Sequence, residues 1–480
     1  MTALIAAGEL TEAVLAASKA DGCIVLLTET SEANLRWANS TMTTNGHTRS
    51  RSFSVISVVD GPAGPAVGTV SGNGTDLHEV HAVVAASEEA ARQSGSARDV
   101  APLIENPADD NPADDFDRPG AATEIGVFTQ LAGELAAAFR DSRSTGTGAG
   151  SGYLLYGFAE HRLETTWLAS STGLRRRWVQ PTGTVELNAK VADDLTRSAW
   201  VGAYTADFTD LDLTAMTAAA RRRLGWSKRQ VELPAGRYET ILPPSAVADL
   251  MVYMVLMMEG RPAHEGRSAF AAPPDRADGK PGRTRLGERL TNLPLTLFSD
   301  PAVPGLRTSP FLATTVSGDS VSVFDNGAPM RRVDWLRDGT INALTFPRAA
   351  AEEFGGEFTP APDNLLMTGG SPASIEDLVA RTERGLLLTC LWYIREVDPT
   401  SLLLTGLTRD GVYLVENGEV VSQVNNFRFN ESPIDLVRRA SEVGATERTL
   451  CREWKDWFAR TAMPPMRVPD FNMSSVSPAS

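Results

Sequence analysis

Two phrases in this 480-residue chain set glutamate directly after histidine, the residue types that hold zinc and activate water. One is His264-Glu265, within SAVADLMVYMVLMMEGRPAHEGRSAF at residues 245–270. It follows an apolar helix, falls in a short polar loop, and has no second histidine four or five residues on. It reads as a solvated loop pair, the alternative being a contact with a partner or a peptide. The other phrase is His78-Glu79-Val80-His81. Its histidines are three apart and share a helix face. At roughly 100° per residue, Glu79 points away from both and cannot poise a water over a metal they hold. No third ligand is evident, and the phrase reads as structural. His47 and His161 stand alone in hairpins.

Thiol and hydroxyl chemistry fares no better. Cys23, Cys390 and Cys451 are odd in number and far apart, giving neither a disulfide framework nor a metal knuckle. They fit a reducing cytoplasm. Cys23 and Cys390 lie in apolar runs and read as inert. Cys451, in ERTLCREWKDWF, reads as a small buried hydrophobe on an amphipathic helix. No GxSxG elbow is present. Ser170 to Gly173 reads as a turn, and STGTGAGSG lacks the GK[ST] or GxGxxG of a phosphate loop.

Composition bounds the function class. A formal net charge of −15 argues against a nucleic-acid backbone as partner. The 42% hydrophobic and 22% charged fractions are those of a soluble globular protein, and the length predicts two or three domains. The longest strongly apolar run, Leu250 to Met258, is far short of the roughly 20 residues that span a bilayer. The opening MTALIAAGELTEAVLAASKADG has no basic n-region and carries Glu9 and Glu12, so it reads as an amphipathic helix, not a signal peptide.

The elements that must position these residues divide into two textures. Residues 1–228 read as an α/β-type domain of helices and hairpins. CIVLLTET and NLRWANSTMTTNGHTRSRSFSVISVVD are strands. TDLHEVHAVVAASEEAARQSG is a helix with Thr75 as its cap, and GVFTQLAGELAAAFRDS and LDLTAMTAAARRRLGW are helices too. Arg221 to Arg223 sit where positive charge suits a helix C-terminus, or form a basic patch. An exposed acidic loop, 105–120, contains the tandem unit NPADDNPADD. A flexible connection covers 141–152. From 229 to 480 strands and turns dominate, and the expected domain is mostly antiparallel β. Only SIEDLVARTERG and SPIDLVRRASEVG interrupt it as helices after the one near 245. The fold class is therefore α+β.

That first helix has clear start signals: Pro243-Pro244, then Ser245 as N-cap, with Asp249 near the positive end. It is expected to run to Gly260. Val247, Leu250, Met251, Met254, Val255 and Met258 fill one face, while Val252, Leu256 and Met257 cover much of the rest. A helix apolar nearly all round is buried, as core, as subunit interface or as the wall of a peptide groove.

The order of the phrases LPAGRYETILPPSAVADLM, GRSAF, RLGERLTNLPLTLFSDP, VFDNGAPMRRVDWLRDGTINAL, NLLMTGGSPASIEDLVARTERGLLL, LTGLTRDGVYLVENGEVVSQVNNFRFNESPIDLVRRASEVG and PPMRVPDF resembles the C-terminal domain of the TldD/PmbA (TldE) family. NLRWANSTMTTN, WLASSTGLRRR and LDLTAMTAAARRRL resemble its N-terminal half. The resemblance implies a pair of subunits that degrades unfolded peptides or matures precursor peptides. A TldD-type zinc metallopeptidase would carry HExxxH and a C-terminal cysteine ligand, and a TldE/PmbA-type subunit would lack the metal motif. With Glu259-Gly260 and Gly266 to Phe270 as anchors, the motif histidines fall on Met251 and Leu256 and the glutamate on Val252. None of these can serve zinc or act as a base. The nearest match to the family's cysteine is Cys451, without the flanking glycines.

The resemblance thus implies a non-catalytic TldE/PmbA-like subunit with no catalytic, metal or cofactor residues of its own. Zinc is expected in a TldD-type partner, and the other partner is an unfolded or precursor peptide, not nucleic acid or membrane. The alternatives are a diverged active metallopeptidase using His78, His81 or His264, and a stand-alone peptide-binding scaffold.

Overall fold

The computed structural model describes residues 5–74, 76–106, 115–144, 152–273 and 283–478. Most of the tandem acidic unit (107–114), most of the Gly/Ser connection (145–151) and Thr75 lie outside the described residues.

The first half is built on long antiparallel strands. In chain order its elements are α1 (Ala7–Ala17), β1 (Gly22–Ala38), β2 (Thr41–Val59), β3 (Ala66–Gly72), α2 (Leu77–Gln93), α3 (Thr129–Ser144), β4 (Tyr153–Ser170), β5 (Arg175–Val191), β6 (Asp194–Thr205) and α4 (Leu213–Trp226). The strands form one sheet in the order β3-β2-β1-β4-β5-β6, antiparallel throughout. At about 3.3 Å per residue, the 17 residues of β1 reach roughly 55 Å. The chain reverses at Asn39 and Ser40, both at positive φ.

Alternation along β1 sets which side chains face which layer. Cys23, Val25 and Leu27 pack with α1 and α2 residues such as Leu10, Val14 and Val80. Ile24 and Leu26 face the other way and meet Phe311, Val323 and Phe324 of the second half. Burial on both faces explains the continuous apolar run CIVLL. Further along, Ala33, Leu35 and Trp37 pack against α3 through Leu131, Leu135 and Phe139.

The α2 cap is Asp76, whose carboxylate accepts the Glu79 N–H at 2.9 Å. The expected flexible connection begins later than 141, because α3 continues to Ser144. The expected acidic loop, 105–120, is anchored at its far end. Phe116 is buried beside α1, and its carbonyl accepts the Trp167 indole N–H at 2.8 Å.

The second half opens with β7 (Gln230–Val231), β8 (Gly236–Leu242), α5 (Pro244–Leu256), α6 (Gly260–His264), β9 (Thr296–Ser299), β10 (Val333–Arg337), β11 (Thr340–Ile341), α7 (Arg348–Phe354), β12 (Leu365–Thr368) and α8 (Ile375–Ala380). It continues with β13 (Arg384–Leu388), β14 (Leu391–Asp398), β15 (Leu403–Thr408), β16 (Val412–Glu416), β17 (Glu419–Val424), β18 (Phe427–Glu431), α9 (Pro433–Arg439), β19 (Glu442–Val443), β20 (Glu447–Thr449), β21 (Thr461–Met463) and β22 (Met466–Val476).

Two mainly antiparallel sheets result. One runs β11-β10-β9-β12-β21-β20; the other runs β14-β15-β18-β22-β8-β13-β16-β17-β7, with β19 beside β22. The protein is α+β. The helices α8 and α9 match the two expected here, and α6 and α7 add two that the sequence did not signal. Most of the apolar side chains of this half form one core around α5. The two halves share further clusters, such as Trp200 and Tyr204 with Leu366 and Leu450. Among the described residues, no helix is long and apolar enough to cross a membrane.

Candidate functional site

The helix α5 follows directly on β8, which ends at Leu242, and starts at Pro243-Pro244. Pro243 occupies the cap and Pro244 the first helical position, where a missing N–H costs nothing. Ser245 is therefore inside the helix, not its cap. The helix stops at Leu256, four residues before the expected end at Gly260. The chain turns at Met257 and restarts at Gly260 as α6. Tertiary contacts force this break. Glu259 bridges to Thr345, and Gly260 lies under the Phe346 ring, where a Cβ would come within 2.0 Å of Cε1.

All but three of the thirteen α5 residues are buried; Ser245, Tyr253 and Leu256 are partly exposed. Met251 is 1% exposed and Val252 0%, and both belong to the central cluster, with Leu256 packed on its margin. Each large apolar side chain so buried contributes about 1.5–3 kcal/mol. Cys451 joins the same cluster at 0% exposure, and its thiol donates to the Phe458 carbonyl at 2.6 Å. Burial pushes that thiol well above its ordinary range. The expected amphipathic helix around Cys451 is absent. Residues 452–457 are turns, held by long-range bonds.

One side chain of the cluster carries a role that sequence reasoning missed. Asp249 is 1% exposed. It is not a carboxylate decorating the helix's positive end. Its Oδ1 accepts the Glu453 N–H at 2.9 Å, and its main-chain carbonyl accepts the Trp454 indole N–H at 2.7 Å. Burial holds its carboxyl well above the usual range, and the nearby Glu453 charge adds to this. Glu453 in turn accepts from the N–H groups of Tyr393 (2.8 Å) and Ile394 (3.0 Å) and pairs with Arg395. The only sequence signal is an acid set among apolar residues on every side of the helix.

Outside this network lies an aromatic strip. Tyr253 of α5 meets Trp454 at 5.5 Å, and Trp454 meets Trp457 at 5.7 Å. Trp457 is 54% and Tyr393 52% exposed, with Arg395 over the Tyr393 ring at 4.3 Å.

The histidines are dispersed. His264 ends α6, and it is half-buried and stacked on Phe354 at 4.6 Å and 14°. It is thus a packed side chain, not half of a solvated loop pair. Glu265 turns to Arg267, whose hydrogen bond lowers its carboxyl below the ordinary value, and to Arg261 at 3.7 Å. His78 and His81 are exposed on α2, while Glu79 accepts the Asn73 N–H at 2.7 Å and ties down the preceding loop. His47 is exposed on β2, 3.3 Å from the Ser31 hydroxyl. His161 is buried. Its Nε2 donates to the Ala206 carbonyl at 3.0 Å, so Nδ1 accepts from the Thr123 hydroxyl at 2.6 Å. Burial lowers its pKa.

The three arginines at the end of α4 each reach another element. Arg221 pairs with Asp141, Arg222 pairs with Glu376, and Arg223 donates to the Trp200 carbonyl.

Zinc does not fit the motif helix. Its three positions offer a thioether and two hydrocarbon side chains, and the neighbouring thiol is held protonated against a carbonyl. Among the described residues, no group of three or more His, Cys, Asp and Glu side chains is arranged to hold a metal ion.

Comparison with known proteins accounts for the scaffold. Residues 235–475 match the PmbA/TldA metallopeptidase C-terminal domain, and residues 23–94 match the PmbA/TldA metallopeptidase domain 1. No curated protein matches the chain. Among solved structures, TldE from Thermococcus kodakarensis superposes with a TM-score of 0.76 at 15% identity, over 98% of this chain and 99% of that one. A putative modulator of a DNA gyrase from Thermotoga maritima gives 0.74 at 17% identity, over 97% and 99%. Another, from Bacteroides thetaiotaomicron, gives 0.71 at 14% identity, over 97% of each chain. These likenesses concern the fold.

Proposed function

The chain belongs to the PmbA/TldD metallopeptidase family, and from that membership we propose that it is the non-catalytic, TldE/PmbA-type subunit of a complex. A TldD-type partner carries the zinc and cleaves unfolded or precursor peptides. The observation that carries this reading is the chemistry of α5. The family's scaffold is kept, while the positions of its metal motif hold Met251 and Val252 in a packed core and Leu256 on its margin. Such side chains neither bind zinc nor activate water.

Two surfaces support the pairing. The aromatic strip of Tyr253, Trp454 and Trp457 runs outward from the altered helix, and exposed Tyr393 is tied to the same segment through Glu453; these are residue types that anchor interfaces. This surface is assigned to the partner. The outer edge of β2 from Thr41 to Ser52 has no strand beside it among the described residues, because β3 covers only Phe53 to Val59. An extended peptide can pair with such an edge. The three cysteines are unpaired and buried, in keeping with a cytoplasmic complex. The diverged-peptidase alternative finds no supporting group among the described residues.

The test is to titrate this chain into a purified TldD-type peptidase and follow both complex mass and cleavage of an unfolded peptide. The reading expects a defined complex and faster cleavage, both weakened by Trp457→Ala with Tyr393→Ser. Unchanged mass and rate at saturating chain would sink it.

A further inference from the structure

A cavity of about 390 Å³ opens where the end of α4 meets α8, β13 and β17. Trp226, Ile375, Val379, Leu387 and Val420 give it an apolar wall, and Arg222, Arg223, Glu376, Thr389 and Glu419 also line it. One charged side chain inside it stands out. Arg223 is half-buried and lines the cavity, and the acceptor it meets is the Trp200 main-chain carbonyl. Among the described residues it has no carboxylate in ion-pair range. Its neighbour Arg222 is already committed, paired with Glu376 at 3.0 Å and lying over the Trp226 ring.

A second group at this place lacks a partner. Tyr413 is 0% exposed and its hydroxyl makes no hydrogen bond. The ring packs edge-on against Trp226 at 5.1 Å and stands directly across the ladder from Leu387. Its hydroxyl lies beside Thr389, another lining residue, since a Cβ on Gly411 would touch both oxygens. Arg223 is the strongest charge acting on that hydroxyl.

Removing a guanidinium from water without an anion to face is unfavourable, and a carboxylate placed there offsets the loss through paired, charge-assisted hydrogen bonds. Burial accordingly holds Arg223 below its ordinary pKa, although it remains charged. Glu376 and Glu419 also line the cavity, but both are exposed, where water and salt screen them, and Glu376 is paired with Arg222. The volume lies in the range of small-ligand sites, which are mostly apolar with a few placed polar groups.

We propose that this cavity binds a carboxylate carrying an apolar group, as presented by the C-terminal residue of a peptide or by a short fatty acid. Arg223 holds the carboxylate, the unpartnered Tyr413 hydroxyl lies behind the wall beside Thr389, and the apolar group fills the space between Trp226, Val379 and Leu387. The site is independent of the subunit pairing proposed above.

The test is calorimetric or NMR titration of the full chain with N-acetyl-leucine and with N-acetyl-leucinamide. For a ligand this small the acid is expected to bind with a Kd on the order of 1 mM, and the amide about tenfold more weakly or worse. Arg223→Gln removes the preference for the acid. Val379→Trp, which fills the cavity and leaves Arg223 in place, removes binding of both. Octanoate as a third ligand separates the sources: whichever of the two acids binds tighter names the class. Equal affinity for acid and amide, an unchanged preference in folded Arg223→Gln, undiminished binding in Val379→Trp, or no saturable binding of any acid would each overturn the proposal.

Discussion

Replacing Asp249 by asparagine tests how the altered helix is held. The carboxyl is 1% exposed and accepts the Glu453 N–H at 2.9 Å. Burial raises its pKa well above the ordinary 3.8. Above the unfolded pKa the folded chain still holds the proton that the unfolded chain has released. The wild-type contribution is therefore fully present at low pH and is lost as pH rises through the folded pKa. The unfolding free energy falls by up to about 1.4 kcal/mol per pH unit across that window.

Asparagine keeps a carbonyl oxygen for the Glu453 N–H and has no proton to lose. The stability of Asp249→Asn relative to wild type should therefore climb as pH rises above the ordinary carboxylate range, by about 1 kcal/mol per unit where the change is steepest. Urea-unfolding midpoints of the two proteins, measured side by side, give this difference while the other titrating groups cancel. Asp249→Ala is the control. It leaves the Glu453 N–H without its acceptor and should cost about 1–3 kcal/mol. A constant difference between Asp249→Asn and wild type across the pH range would mean that the carboxylate is ionised in the fold, and would refute the reasoning.

Three further outcomes are expected. Gly260→Ala drives a Cβ to 2.0 Å from the buried Phe346 ring, so thermal melting should show a loss of about 1–3 kcal/mol. Arg452→Ala removes the nearer cation of buried Asp410, 3.0 Å away, and leaves it Arg409 at 3.7 Å and the Ser198 hydroxyl; it should cost about 3 kcal/mol, and restoring stability with Asp410→Asn in the same chain would identify the uncompensated charge as the cause. All three thiols are buried; Cys23 is pushed up to about 11 and Cys390 to about 12. Iodoacetamide near neutral pH should leave them unmodified in the native chain and label all three in urea, as read by mass spectrometry.

The sequence made some of this structure legible and hid the rest for identifiable reasons. The strands of the first half announced themselves by β-branched residues, and Asn39 marks one reversal, whereas CIVLLTET runs on into NLRWA as one strand and the turn signal Asn45-Gly46 lies inside β2. Helix α5 was readable as buried because Met, Val and Leu cover it on nearly every side. The substitution of its motif positions was readable too, since Met251, Val252 and Leu256 need no coordinates to be recognised as lacking donors. What stayed hidden depends on partners far along the chain. Asp249 looked like a dipole-compensating carboxylate until Glu453 and Trp454, some two hundred residues on, closed over it.

The phrase around Cys451 has the apolar spacing of a helix. Its backbone is turned because the Glu453 side chain serves Tyr393 and Ile394 and the Trp454 side chain serves Asp249. His264 read as solvated because Phe354, which stacks on it, is ninety residues away. The cavity around Arg223 could not be found from the arginine run alone. Only the fold shows that Arg221 and Arg222 have carboxylate partners and that Arg223 faces apolar walls.

The central claim is that this chain keeps the family's motif helix without its metal chemistry, and works through a partner that has both. The most direct measurement is the zinc content and peptide-cleaving rate of the purified chain alone, beside those of the chain mixed with a TldD-type peptidase. The account predicts substoichiometric zinc and no cleavage for the lone chain, and bound zinc together with cleavage in the mixture. Stoichiometric zinc together with cleavage by the lone chain would contradict it.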